Sequence, residues 1–198
     1  MANTKHPVEK PVEILTYKGA EFEVVERPDV LWVGCVGYAQ NNTDEPDNGP
    51  TLKRFQELCK IVAVKEPINP DWSAALSINY SRGGKPKGIM FANEVYTDKQ
   101  DERFDILTQP GGLWLRVSNN AKAAAALFGY DGSEPFNPWK YGPYLYFAGD
   151  QAPLQCAARE NGYLQNPDVD IQVEYHCHAE YGTPPHTNYA YIPIVRVG

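Results

Sequence analysis

The stretch Asp170-Ile171-Gln172-Val173-Glu174-Tyr175-His176-Cys177-His178 and the closing stretch Tyr189-Ala190-Tyr191-Ile192-Pro193-Ile194-Val195-Arg196-Val197 decide how the chain is read. Both alternate with a period of two, which predicts two strands separated by a turn-rich loop through Pro184-Pro185. In the first, Ile171, Val173, Tyr175 and Cys177 form one row, and Gln172, Glu174, His176 and His178 the other. In the second, Ala190, Ile192 and Ile194 oppose Tyr189, Tyr191 and Pro193. If these two strands are antiparallel neighbours and every apolar row faces helices, Glu174 shares the open face with Tyr189 and Tyr191. A third strand, 113–117, adds Trp114 and Arg116 to that face, with Leu113, Leu115 and Val117 toward the core. A carboxylate ringed by Tyr and Trp attracts cations through its charge and through the ring quadrupoles.

Working outward, residues 22–26 and 30–38 read as strands around a turn at Arg27-Pro28-Asp29. A loop spans 40–50, and a helix capped by Thr51 runs to about 64 with Leu52, Phe55, Leu58, Cys59 and Val62 on one face. Strands over 71–81 and 88–96 follow, joined by a Gly-rich basic segment that reads as a hairpin turn rather than a phosphate loop. The second half turns at Pro110-Gly111-Gly112, continues with the strand 113–117, and has a helix over 120–128 that stops at Gly129. Residues 144–147 fit either strand or helix, and 152–161 reads as a helix with Pro153 in its first turn. The order β-α-β-β thus occurs twice. It predicts an α+β fold of two pseudo-repeated β-α-β-β modules, with antiparallel sheets around a central ligand cleft and the helices on one side. The expected division is an N-terminal arm over 1–20 and one domain over 21–198, with repeats at about 21–100 and 101–198.

A formal net charge of −7 argues against holding nucleic acid by phosphate neutralisation and against docking on anionic lipid. The 13 tyrosines outnumber Phe and Trp together, which suits walls that face a ligand or water. Cys35, Cys59, Cys156 and Cys177 are too far apart in sequence for a CxxC motif, so neither a zinc ribbon nor a thioredoxin motif is present and four free thiols are expected. The first residues hold no apolar signal core, and no apolar run is long enough to span a membrane, so a cytoplasmic location is expected. His176 and His178, with His186 nearby, would need a third converging ligand to hold a metal. A polar strand end is the preferred reading, and no metal or cofactor is expected.

Val173-Glu174-Tyr175 followed by Tyr189-Ala190-Tyr191-Ile192-Pro193-Ile194 resembles the closing signature of the GyrI-like effector-binding domains. So do Val24-Val25-Glu26-Arg27-Pro28 before a hydrophobic strand reaching Gly34, Asn79-Tyr80 at a strand end, and Gly111-Gly112-Leu113-Trp114-Leu115-Arg116-Val117. The resemblance covers about residues 20–196. It implies a cleft between two modules that receives bulky aromatic, cationic small molecules. Glu174 would be the acidic residue, Tyr189 a pocket tyrosine, and Tyr191, Trp114 and Tyr80 further ligand-binding residues. The implied function is a stand-alone receptor or sequestering protein with no direct nucleic-acid contact, and a homodimer is left open. The alternative it implies is a hydrolase of strained, cyclopropane-type electrophiles, with Glu174 as general base beside Tyr189 and Trp114.

Overall fold

Runs of β-branched and aromatic residues, broken by Pro, Gly and Asn, place ten strands in one antiparallel sheet. The structure, a computed structural model, describes residues 9–80, 85–177 and 188–198. The strands are β1 (Pro11–Tyr17), β2 (Ala20–Arg27), β3 (Val30–Tyr38), β4 (Trp72–Ile78), β5 (Gly88–Val95), β6 (Asp105–Gln109), β7 (Gly112–Asn119), β8 (Tyr163–Gln165), β9 (Ile171–Cys177) and β10 (Asn188–Arg196). The helices are α1 (Asn48–Ile61), α2 (Ala121–Phe128) and α3 (Pro153–Glu160). The sheet order is β1-β2-β7-β10-β9-β4-β5-β3-β6, and β8 pairs with the far end of β10.

The expected β-α-β-β order occurs twice with one topology. β3, β4 and β5 lie side by side as β4-β5-β3, and β7, β9 and β10 as β9-β10-β7, so the halves meet where β4 pairs with β9. The strand leading into each half is exchanged, since β2 pairs with β7 and β6 with β3. Both links, Pro28-Asp29 and Pro110-Gly111, begin with proline, which keeps the preceding residue extended. The two segments expected to be turns therefore carry the chain across to the other half. They pass in contact: Gly111 N–H donates to Asp29 Oδ1 at 2.7 Å, and a Cβ on Gly111 would sit 2.8 Å from the Arg27 carbonyl oxygen. Within 1–20, expected as an arm, residues 11–17 form β1, and Glu9 is buried.

The sheet rolls up. Five strand spacings of about 4.8 Å separate β2 from β5, or roughly 24 Å in a flat sheet. Yet Arg27 Nη2 on β2 lies 3.6 Å from Glu94 Oε2 on β5. Inside the roll, Trp32, Trp72, Trp114, Tyr175, Tyr191, Met90, Ile171 and Val173 form one buried cluster. At its centre is an ion network. Arg27 pairs with Glu9 and Glu94; Arg116 reaches Glu9 at 2.7 Å and Glu23 at 2.6 Å. Tyr191 Oη donates to Glu9 at 2.9 Å, and Tyr175 Oη to Glu94 at 3.0 Å. The Arg27 guanidinium lies 5.1 Å from the Tyr191 ring centroid and 5.9 Å from that of Trp114. Burial alone would lower the Arg27 pKa, but Glu9, then Tyr191 and Glu94, outweigh it and raise the pKa.

The helices pack on the outer face. α1 begins three residues before the expected Thr51, capped by Asp47, whose side chain accepts from Gly49 N–H at 3.2 Å. It covers β3 and β5 through Phe55 and Leu58, against Val33, Cys35 and Val95. A Cβ on Gly37 would lie 2.2 Å from Thr51 Oγ1, so the glycine sets how closely α1 approaches β3. α2 starts at the Asn120 cap and stops at Gly129 (φ 72°), as expected. With α3 and the 3-10 turn Pro143–Tyr146, it covers β2, β7 and β10 through Leu115, Val117, Ala190, Ile192 and Leu154. β4 and β9 are left as the floor of a trough between the two helical layers. Cys35, Cys59 and Cys156 are free thiols.

Replacing Arg27 by Met would take a cationic partner from two buried carboxylates, Glu9 and Glu94, so it should cost about 3–5 kcal/mol of unfolding free energy in urea denaturation. A loss below about 1 kcal/mol would show that the network contributes little. Tyr146, Tyr175 and Tyr191 have pKa values raised chiefly by desolvation, with Glu94 adding to it at Tyr175 and Glu9 at Tyr191. A raised folded-state pKa contributes stability that is complete below the unfolded value near 10 and is lost as pH rises beyond it. Phenolate absorbance should therefore show these rings ionising only as the fold opens; ordinary titration of all tyrosines while the protein stays native would contradict their placement.

Candidate functional site

The register settles which side chains look into the trough. Glu174 on β9 pairs with Ala75 on β4 and Ala190 on β10, so it stands on the helical face with Ala190 and Ile192. Tyr175 and Val173, expected to face helices, instead point into the roll beside Tyr189 and Tyr191. The helix-facing rows of β7 and β10 are as expected, but their opposite rows lie inside the roll rather than on an open face, and the rows of β9 are reversed. The reason is that β9 has no helix over it: its polar row, Gln172, Glu174 and His176, floors the trough, while its apolar row finds a core inside the roll.

The expected site therefore divides. Glu174 and Tyr80 line one groove of about 770 Å³. Trp114 and Tyr191, each 1% exposed, are packed around Arg27 on the opposite face. Tyr189 is also on that face, stacked on Trp72 at 5.9 Å, with the Arg116 guanidinium 5.0 Å from its ring. The set Glu174, Tyr189 and Trp114, required by the hydrolytic alternative, is thus not brought together. His178 and His186 lie outside the described residues.

The groove is built from both halves. Its floor is Ser77 of β4, Ile89 of β5, and Gln172 and Glu174 of β9. One wall is Tyr80 with Glu45 and Asn48 at the start of α1; the other is residues 144–150 with Gln155 of α3 and Gln165 of β8. Glu45, Asp150 and Glu174 are acidic, and among the described residues no Lys or Arg is part of the lining. Tyr144 is half exposed at the rim. Gln155 is 8% exposed; its amide nitrogen donates to the Phe147 carbonyl at 2.9 Å, holding the far wall, while its Oε1 is buried with no hydrogen-bond partner. Glu174 Oε2 lies 3.5 Å from His176 Nε2, and the imidazole stacks on Trp139 with centroids 6.5 Å apart.

Tyr80 closes one end. Desolvation raises its pKa first, followed by its hydrogen bond and charge interaction with Glu45 and by the charge of Glu174, so the phenol stays protonated and donates. The Lys87 ammonium pairs with Glu45 and lies 5.3 Å from the Tyr80 ring centroid. That hydrogen bond from Lys87, ahead of the one from Tyr80, holds the Glu45 carboxyl below its usual range. A resident cation thus sits on a carboxylate and a ring at the rim.

The sequence reading missed Glu45, Asp150 and the three glutamines. Glu45 and Asp150 fall in loops with no period to place them. Gln155, Gln165 and Gln172 carry no charge signal, and only the sheet register shows that Gln172 and Glu174 share a floor with Ser77.

No family model matches the sequence, and no curated protein matches it. The fold is nonetheless the α+β, GyrI-like one expected, and solved structures share it. The EcmrR C-terminal domain superposes with a TM-score of 0.53 at 14% identity, covering 90% of this chain and 99% of that one. SAV2435, solved bound to tetraphenylphosphonium, gives 0.51 at 10% identity over 88% of this chain and 93% of the other. EcmrR in a DNA complex gives 0.54 at 12% identity, with 91% of this chain matched to 59% of that one. A DNA complex among these structures leaves the expected exclusion of nucleic acid without support. Among the described residues no helix is long and apolar enough to cross a membrane.

Replacing Lys87 by Met should unmask Glu45 and make the groove more negative. Binding of an aromatic cation should tighten by up to about fivefold, the scale of a partly exposed ion pair. Weaker cation binding in this variant, measured by fluorescence titration, would show that Lys87 props the groove rather than competing for it.

Proposed function

We propose that the chain is a GyrI-like receptor or sequestering protein for bulky aromatic cations, which it takes in the trough over β4 and β9. The observation that carries this reading is the groove lining: three carboxylates and the rings of Tyr80, Tyr144 and Phe147, against one basic side chain among the described residues, Lys87 at the rim. Charge draws a cation in, and rings stabilise it over their faces. The volume, about 770 Å³, falls in the range of small-molecule sites. The fold shared with SAV2435, whose bound compound is a tetra-aryl phosphonium cation, agrees with this ligand class. Glu174 is the central contact because it stands on the floor where the halves meet, and its charge acts on the Tyr80 phenol at one end of the groove.

Glu174→Gln keeps the shape and removes the charge. It should weaken a flat cationic dye by about 1–3 kcal/mol, the scale of a charge-assisted contact, and leave a neutral dye of similar area nearly unaffected. Trp114→Phe, inside the roll, should change neither binding constant. Equal affinity of wild type and Glu174→Gln for the cation would make Glu174 a solvated strand carboxylate and remove the basis of this function.

A further inference from the structure

The trough does not end at Glu174. Along β4 the residues on the trough face are Ser77, Ala75 and Ser73, paired in turn with Gln172, Glu174 and His176. Ser77 belongs to the acidic groove, whereas Ser73 floors a second hollow of about 430 Å³, walled by Leu52, Phe55, Cys59 and Phe91. The α1 residues involved are Asn48 in the first hollow and Leu52, Phe55 or Gln56, and Cys59 in the second. That i, i+4, i+7 or i+8, i+11 spacing is one continuous stripe of the helix. Both hollows are thus parts of one channel between α1 and the floor strands. The character of the channel changes along its length, from carboxylates and amides at one end to Leu52, Phe55 and Phe91 at the other. Lys60 stands at the apolar end.

From this polarity we infer that the channel takes elongated cationic amphiphiles, with the head group over Glu174 and the apolar tail laid along α1 between Leu52 and Cys59. This deepens the cation-receptor reading and rests on it for the head group. The charge order fixes the direction: Lys60 repels a cationic head from the apolar end, and Glu45, Asp150 and Glu174 attract it to the other. From Ala75, which pairs with Glu174, to Ser73 the floor is roughly 7 Å long, room for an extended chain of about six carbons. Leu52 is a large apolar side chain exposed on a helix otherwise rich in polar surface groups, and a tail would cover it.

The test uses n-alkyltrimethylammonium ions from butyl to dodecyl below their micelle concentrations, with tetraphenylphosphonium as a compact cation, all titrated calorimetrically. Each methylene should tighten binding by about threefold to fourfold up to roughly six carbons and add little beyond. Leu52→Glu with Cys59→Glu, both at exposed helix positions, should flatten this dependence while leaving tetraphenylphosphonium binding unchanged. A wild-type affinity independent of tail length, with tetraphenylphosphonium still bound, overturns the tail site and spares the cation reading. A tail-length dependence that Leu52→Glu abolishes, with no binding of tetraphenylphosphonium, spares the tail site and overturns the compact-cation reading. If sedimentation instead shows a dimer that Leu52→Glu dissociates, a second copy occupies the apolar hollow and the inference fails.

Discussion

A guanidinium at the centre of a rolled sheet must be paired from several strands at once, and the rest of this structure depends on that demand. Arg27 draws Glu9 from the residues before β1 and Glu94 from β5, and Arg116 of β7 shares Glu9. An isolated charge in such a place would cost several kcal/mol, so the roll is stable only when the edges of the sheet bring these carboxylates in. The paired groups come from opposite ends of the strand order, which ties the two modules together across the inside as the β4–β9 ladder does along the seam. Because the inner face closes on itself, no helix need cover β9. The trough on the outer face is the consequence: helices have apolar rows to bury on β3, β5, β7 and β10, and only a polar row on β9.

That division explains what was legible in the sequence. Period-two alternation located β2, β3, β4, β5, β7, β9 and β10, because each strand buries at least one whole row. The caps at Asn120 and Gly129 located α2. The twofold β-α-β-β order was legible because each module builds its own sheet segment. The exchange of β2 and β6 was not, since Arg27-Pro28-Asp29 reads as a hairpin turn wherever the next strand is assumed to pair with the last. β1 was hidden by Pro7 and Pro11, and the three-residue strand β8 is too short to show a period.

The candidate site was legible in its central residue and not in its company. Glu174 stood out as a carboxylate mid-strand, and Tyr80 as an aromatic at a strand end. Tyr189, Tyr191 and Trp114 were grouped with Glu174 on the premise that all apolar rows lie on one face. That premise holds for a sheet with a single core. Here the aromatic rows of β9 and β10 share the inner core, and rows that looked equivalent by alternation lie on opposite sides. The rings expected to hold a ligand cation hold Arg27 instead.

Inside the roll the chain holds a cation of its own, and the cation site proposed for the trough differs from it in exposure. Inside, Arg27 lies between the Trp114 and Tyr191 rings with two carboxylates, fully desolvated; its attachment to β2 removes the entropy of association that a free ligand would pay. Outside, Glu174 is one-fifth exposed, and the nearby rings of Tyr80 and Tyr144 are partly in water. Water left around such a carboxylate lowers both its desolvation cost and the strength of any single contact. An enclosed cage selects one cation by shape. On the proposed reading, a wet trough with dispersed carboxylates would select by charge and apolar area and tolerate variation in shape. The residue chemistry that serves as structure where it is sealed would then serve as a receiving surface where it is open.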